Sequence, residues 1–519
     1  MTRTHELIVC AVAVGAIGTQ TRSQEVIHTV VTDEDTPIRA WGDRPALHDG
    51  MVAFLGRDQN SSVDGIYMTP ADGLGPFIVV VDRQDRVPNR PGSFFDYLDN
   101  PSIYDDTVAF CGGDDHDKND GIYLGDGGPI IVLEDAWGGD PLPFGPSFSA
   151  AGVAFKVEPS LLEPPMFQPI SGAAVIAMAS SGRNAPGGGQ FSSFDIVETP
   201  ALGGVVAGFT AWVAQPVGDG GVYTYDTRTG DQGLIANGGT TMPGRSETFE
   251  FITRVDTDDA HVAFVGNTGF LGFGGHEGVY FAPVGSNGSG PFTVVAEIGD
   301  LAPGTNEMFA GFGNVGIDGD LVVFEGVTTD VFGPDTIGLY GWRDGQLFKI
   351  IDNHDQHEGA PLIDMQFNFR GLSQDQVAYR VRYEDPNAPW GQGLALYVST
   401  ISTGNDLTLS TPALLPRGDM VTLTVSGAEA GESIYVLYSF AGVGSGSCPP
   451  QLGGLCLDLL DPVSILANAI TDTNGEASIS DVVPANAPLR EVHTQAVARR
   501  GAGGGDSVKS NAETSTIVR

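Results

Sequence analysis

Short stretches of alternating apolar and polar residues recur along most of this chain, always in the same order. The phrase Val52-Ala-Phe54 returns as Val108-Ala-Phe110, Val153-Ala-Phe155, Val262-Ala-Phe264, Val322-Val-Phe324 and Val377-Ala-Tyr379, with a looser copy at Val205-Val-Ala-Gly-Phe209. Downstream of most copies comes a second phrase: Gly65-Ile-Tyr67, Gly121-Ile-Tyr123, Gly221-Val-Tyr223, Gly278-Val-Tyr280 and Gly338-Leu-Tyr340. A third is an apolar run ending near an acid, as in Phe292-Thr-Val-Val-Ala-Glu297. A fourth precedes each Val-Ala-Phe, as in Pro101-Ser-Ile-Tyr-Asp-Asp106. β-Branched and aromatic residues bounded by Gly, Asp and Pro read as strands. Each unit therefore holds four short strands, and the units follow one another at roughly 45–60 residues, the spacing of propeller blades or solenoid turns.

The ends of the array favour a ring. The seventh unit stops at Leu394–Ile401 without its fourth strand, and the orphan Val26-Ile-His-Thr-Val-Val31 matches what is missing. A ring closed this way leaves no long unpaired edge, whereas a solenoid leaves that strand unexplained. The expected fold is all-β: a seven-bladed β-propeller over residues 26–401, closed by the N-terminal strand. Beyond it the alternation changes. Leu407–Leu409, Met420–Val425, Ser433–Tyr438, Ala477–Ser480, Val492–Ala498 and Thr514–Val518 read as strands of an immunoglobulin-like β-sandwich over 406–519.

Composition narrows the function. The 519 residues carry 65 Asp+Glu against 25 Lys+Arg, a formal charge of −40, most of it before residue 405. Such a surface repels phosphate backbones, so nucleic acid is excluded as a partner, while cations and neutral glycans stay open. A basic start and an apolar run from Leu7 to Gly18 read as a secretory signal within residues 1–24. No later apolar stretch is long enough to span a bilayer. The chain is thus expected outside the cell or at its surface, as a monomer. Cys448 and Cys456 flank a short loop that a disulfide closes in an oxidising compartment, and Cys111 reads as a small buried hydrophobe.

Pro101-Ser-Ile-Tyr-Asp-Asp-Thr-Val-Ala-Phe110 followed by Gly121-Ile-Tyr123 resembles the WD40-like repeat of TolB-type β-propellers, over most of residues 26–401. The long linkers, such as Asp82–Asn100, depart from that pattern. The whole chain looks like secreted repeat proteins of planctomycete-type bacteria. This resemblance implies the fold and no chemistry.

The connections from second to third strand, and from fourth strand to the next unit, emerge on one face, and both kinds are long. Binding concentrates on such loops. On that face Asp85, Asp300 and Asp35 align in Asp-x-x-Pro-like phrases, and Asp355 occupies the same place. These carboxylates gather Ca²⁺ or a cationic ligand, or else simply open turns. Asp115, Asp117 and Asn119 alternate as oxygens do in Ca²⁺ loops, without the Gly and Glu an EF-hand requires. His354 and His357, flanked by Glu358, are a candidate ligand pair for a transition metal or for proton transfer. No nucleophile elbow, P-loop or dinucleotide fingerprint occurs. The expected function is a non-catalytic propeller binding an extracellular glycan, protein or cation on its long-loop face, with the C-terminal module as spacer or attachment. A carbohydrate-active hydrolase or lyase with acidic catalysts at the channel mouth is one alternative. A purely structural cell-surface protein is the other.

Overall fold

A computed structural model describes residues 25–519, except 43, 115–120, 135–143, 157–163, 172–173, 195–199, 215–219, 270–274, 330–335, 344, 387, 389–390, 403–406, 429–430, 445, 453–454, 473–474 and 501–506. The expected signal segment and the loop residues Asp115, Asp117 and Asn119 lie outside the described residues. Residues 26–400 and 401–519 form two compact units.

The first unit consists of antiparallel sheets taken in chain order, the arrangement of a β-propeller. The first sheet runs Ile38–Ala40, Met51–Asp58, Asp64–Pro70 and Ile78–Asp82, with Ala46–His48 also paired to its second strand. The second is Tyr97–Tyr104, Thr107–Gly113, Gly121–Gly125 and Ile131–Glu134, and the third Phe144–Ser149, Gly152–Lys156, Met166–Pro169 and Ile176–Ala177. In the fourth, Gln190–Phe194 and Ala201–Gly203 share Val206–Ala214, followed by Gly220–Asp226 and Gln232–Ala236. The fifth holds Phe251–Thr257, His261–Asn267, Glu277–Pro283 and Thr293–Glu297. The sixth holds Met308–Asp318, Leu321–Thr329, Thr336–Arg343 and Gln346–Asp352. The seventh takes Ala360–Ser373, Gln376–Glu384 and Gln392–Ser402, and its outermost strand is Glu25–Thr32 from the start of the chain. His28 fastens that strand: its Nδ1 lies 2.6 Å from Ser399 Oγ and 3.0 Å from Tyr379 Oη.

The repeated phrases are explained by ring packing. In the third sheet Phe155 faces Met166, whereas in the other six the aromatic of the Val-Ala-Phe phrase or its variant sits directly opposite a Tyr on the neighbouring strand: Phe54–Tyr67, Phe110–Tyr123, Phe209–Tyr223, Phe264–Tyr280, Phe324–Tyr340 and Tyr379–Tyr397. Their centroids are 5.7–6.2 Å apart. In four sheets a third ring, Phe95, Phe191, Phe249 or Phe309, meets the Tyr edge-on at 4.9–5.3 Å, the geometry ring quadrupoles favour. The glycine two places before the Tyr is a space requirement. A Cβ on Gly278 or Gly338 falls 2.7 Å from the phenol oxygen.

The apolar core lies between consecutive sheets, and one cluster joins the seventh sheet to the first. First strands touch first strands in order around the unit, and that of the seventh meets Ala46–His48 of the first. A hydrogen bond crosses each of these junctions. Asp105 N donates to His48 Nδ1 (3.4 Å), Phe148 N to Ser102 Oγ (3.0 Å) and Leu202 N to Ser147 Oγ (2.9 Å). Val205 N donates to Asp259 Oδ1 (2.6 Å), Gly319 N to Asp258 Oδ2 (2.9 Å), Gln374 N to Asp318 Oδ2, and Asp49 N to Ser373 Oγ (3.3 Å). At the sixth–seventh junction Arg343, 2% exposed in its side chain, reaches Asp320 (Nε to Oδ1, 3.1 Å) and Asp375. Cys111 is fully buried in the second sheet.

The second unit has two sheets. One is Thr408–Ser410, Met420–Ser426 and Ala477–Val482. The other is Leu414–Pro416, Val508–Val518, Glu491–Ala498, Ser433–Ser439 and Val463–Ile470. Leu409, Leu423 and Val425 of the first pack on Ile434, Val436 and Ala496 of the second. A disulfide joins Cys448 to Cys456. Among the described residues no helix is long and apolar enough to cross a membrane.

Candidate functional site

Each fourth strand must hand the chain to the next first strand, and among the described residues five of these turns are capped in a common way. Asp82 N donates to Asp85 Oδ2 (2.9 Å), Glu297 N to Asp300 Oδ2 (2.8 Å) and Asp352 N to Asp355 Oδ2 (2.9 Å). Thr240 Oγ1 takes this role for Asn237 N (3.1 Å), and Thr36 Oγ1 for Asp33 N (3.2 Å). Asp35 is therefore out of register with the other three; its own N–H donates to Asp33 Oδ1 (2.9 Å). A side-chain oxygen three residues on closes the turn, and a hydroxyl serves as well as a carboxylate. Asp355 also receives Lys349 Nζ at 3.1 Å. Among the described residues, no three His, Cys, Asp or Glu side chains are placed to hold a metal ion.

Beyond four of these caps the chain makes a small hairpin, closed by Arg86–Phe94, Thr241–Thr248, Leu301–Met308 and Gln356–Pro361, and Asn184–Gln190 closes a similar one before the fourth sheet. The residue after each bridge partner is buried. On one side these are Val87, Ala185, Met242, Ala302 and His357, and on the other Phe95, Phe191, Phe249, Phe309 and Leu362. The bridge partners themselves face solvent, apart from the half-buried Thr248, and differ in every loop. Phe94, Leu301 and Met308 stay 47%, 59% and 57% exposed, and the Arg86 guanidinium lies 5.8 Å from the Phe94 ring centre.

This frame separates the two candidate histidines. His357 occupies the buried position, its Nδ1 2.6 Å from Tyr397 Oη and its ring 4.2 Å from that of Tyr383. Burial pushes its imidazole below the ordinary range. His354 is exposed, with Nδ1 3.7 Å from Asp352 Oδ1.

A polar cluster that the sequence did not single out lies at the fifth sheet. Glu297, at the end of the fourth strand, receives Arg245 Nη2 at 3.0 Å and Tyr280 Oη at 3.0 Å, and His276 Nε2 lies 3.0 Å from its Oε1. Arg245 comes from the hairpin that precedes the fifth sheet, His276 from the residue before that sheet's third strand, and Tyr280 from the strand itself. Burial pushes the Glu297 carboxyl up, but hydrogen bonds from Arg245, His276 and Tyr280 outweigh it and hold the carboxyl below its usual value. The Tyr280 phenol is pushed up, by burial first and by the Glu297 charge second. With its oxygens committed to three donors, Glu297 is poised to orient Arg245 and His276 rather than to abstract a proton. The signal lay in Glu297 itself, a longer acid where Asp82, Asn237 and Asp352 stand in other sheets.

No protein-family model and no curated protein matches this sequence. Among solved structures the chain is similar to the β-propeller domain of the Trilobed protease from Pyrococcus furiosus, with 10% identity over 64% of this chain and 95% of that one, TM-score 0.37. It is similar to a prolyl endopeptidase at 12% identity, over 78% of this chain and 55% of that one, TM-score 0.40. Likewise it is similar to an α-L-arabinanase of Penicillium chrysogenum at 10% identity, over 72% and 97%, TM-score 0.29. At these TM-scores and identities the likenesses carry no argument about chemistry. The propeller arrangement rests on the chain's own sheet order.

Proposed function

We propose that this chain is a secreted, non-catalytic binding protein. In this reading residues 26–401 form a seven-bladed propeller closed by the N-terminal strand, and an immunoglobulin-like sandwich over 406–519 serves as spacer or attachment. The observation that carries it is the contrast within the hairpins of the long-loop face. Their buried positions repeat from sheet to sheet, while their exposed bridge pairs change from cation–aromatic to amide, hydroxyl and aliphatic. Packing alone demands the first and is indifferent to the second. A rigid frame presenting varied side chains is the design of a recognition surface. Phe94 with Arg86, and Leu301 with Met308, are the anchors, since exposed aromatic, Met and Arg side chains carry binding energy out of proportion to their number. The ligand class is an extracellular glycan or protein.

The test is a glycan array probed with the purified protein and with the variant Phe94→Ser/Leu301→Ser/Met308→Ser. Saturable glycan binding that the variant loses, at an unchanged unfolding midpoint, supports the reading. Binding that survives in the variant removes the rim from it. No binding to any glycan, together with retention of hydrolysis products from one of them, transfers the chain to the hydrolases.

A further inference from the structure

The first sheet carries a row of arginines at its long-loop end. Arg39 and Arg57 sit directly opposite one another on the first and second strands, and Arg57 is opposite Asp64 on the third. Asp64 accepts Arg57 Nε at 2.5 Å and Arg57 Nη2 at 3.1 Å. Arg83, just past the fourth strand, brings its Nη1 to 3.6 Å from Asp64 Oδ2, and its backbone N donates to Asp64 O at 3.1 Å. The chain then turns once, Asp85 N donating to Asp82 O at 3.0 Å, and presents Arg86 beside Phe94. Strand register and ion pairs thus gather these groups on one stretch of the rim.

The proportion of acid to base is inverted here. In the fifth sheet Glu297 takes Arg245, and in the sixth Lys349 lies 3.2 Å from Asp352 and 3.1 Å from Asp355. In the first sheet one carboxylate serves two guanidiniums. The Asp64 side chain is 11% exposed, while those of Arg57 and Arg83 are 55% and 44% exposed. Solvent therefore meets the cations and not the anion between them. Arg39 has Glu34 at 2.7 Å. Among the described residues Arg86 has no acid within ion-pair distance, and its guanidinium lies by the Phe94 ring. The acids of the adjoining turns point to backbone: Asp82 Oδ1 accepts Gln84 N at 2.7 Å, and Asp58 Oδ1 accepts Asn60 N at 2.8 Å.

We propose that this stretch of the rim receives an acidic glycan, an oligosaccharide whose carboxylate or sulfate groups are taken by Arg57, Arg83 and Arg86 while a sugar ring lies on Phe94. The inference rests on the rim reading above and names its ligand. Guanidiniums match the planar, paired oxygens of such groups, and Arg57 keeps Nη1 for this after giving Nε and Nη2 to Asp64. The half-exposed Phe94 ring offers an apolar face to the C–H groups of a pyranose. A sugar acid carries its charge at the edge of a rigid ring, which suits guanidiniums set beside an aromatic face. The formal charge of −40 opposes an anion at long range. At physiological salt that field is screened beyond about 8 Å, and the exposed donors decide the outcome at contact.

The experiment is calorimetric titration of the full chain with trigalacturonate, its methyl ester, a sulfated galactan oligosaccharide and triglutamate. At least one acidic sugar is expected to bind roughly tenfold tighter than the neutral ester. The tighter of the two identifies the acid group as carboxylate or sulfate. Arg83→Gln and Arg86→Gln are each expected to remove most of that preference, and both leave the Arg57–Asp64 pair in place. Arg228→Gln removes the same charge from an exposed pair with Asp226, in the turn between third and fourth strands of the fourth sheet, and should change nothing. An ester that binds as tightly as the acids, or a preference that both arginine variants retain, overturns the inference and leaves the rim reading standing. Triglutamate bound as tightly as the acidic sugars overturns the assignment to a glycan. No binding of any probe overturns the inference as well, and the glycan array then judges the rim reading by itself.

Discussion

Phe94 and Phe95 are neighbours in sequence with opposite duties, and replacing each with Ala separates them. Phe95 is 1% exposed, edge-on to Tyr123 at 5.1 Å and 6.0 Å from Phe110. Gly112 leaves room for it, since a Cβ there would stand 3.0 Å from the Phe95 ring. The cavity left by Phe95→Ala is lined by rings that the Tyr123–Phe110 stack holds in place, so little collapse compensates. The expected cost is about 3–5 kcal/mol. Phe94 is 47% exposed and touches the Arg86 guanidinium. Phe94→Ala forfeits that contact, about 0.5–1 kcal/mol at an exposed site, and no core. Urea unfolding followed by tryptophan fluorescence measures both. All five tryptophans lie before residue 401, so the signal reports the first unit and not the second. Equal destabilisation by the two variants would refute the division between buried frame and exposed rim. A loss below about 1 kcal/mol for Phe95→Ala would refute the claim that the stacked rings hold a sheet together.

The remaining expectations concern charge. Burial lowers the His28 and His357 imidazoles below the ordinary value of 6.5. The folded state therefore prefers them neutral, and their contribution, full above that pH, is lost as pH falls through the folded values. The unfolding midpoint should drop between pH 7.5 and pH 5 less in His28→Gln/His357→Gln than in the parent. Comparing the two at each pH cancels the buried Asp256 and Glu325, whose raised carboxyls act in the opposite sense. Asp320→Ala/Asp375→Ala strands the buried Arg343 and should cost about 3 kcal/mol, whereas Arg343→Met, leaving two exposed carboxylates, should cost about 1 kcal/mol or less. Unfolding midpoints of the three proteins decide between these and a symmetrical loss. With the turn carboxylates Asp85, Asp300 and Asp355 committed to backbone N–H groups, excess Ca²⁺ over EDTA should leave the melting temperature unchanged. A rise would return the acidic loop after Asp114 to consideration.

The strand phrases were legible because packing repeats them. A Phe opposite a Tyr needs a glycine two residues before the Tyr, and in five sheets that need writes itself into the sequence as Gly-x-Tyr. Other features carry no such local signature. The strand Val463–Ile470 went unread because its side chains do not alternate between core and water: Ile465 and Ile470 remain 65% and 71% exposed. Asp35 was misaligned because the turn needs an oxygen at a set place, not an aspartate, and Thr36 supplies it. Glu297 meets donors from a hairpin, from the end of a loop and from the neighbouring strand, up to 52 residues away in the chain. Pairings of that kind are set by closure of the ring, which no window of sequence contains.

That closure also orders events in time. Six sheets of the first unit are made from strands consecutive in the chain, so each can pair as soon as its own residues have been synthesised. The seventh joins Glu25–Thr32 to Gln392–Ser402, and the His28–Ser399 bond spans 371 residues. The entropy of so long a loop grows only as the logarithm of its length, about 0.6 kcal/mol for each doubling. Once the other sheets are stacked, most of that loop is already compact. The strand made first is therefore the last to find its partner, and a chain halted before residue 392 keeps both of its ends open.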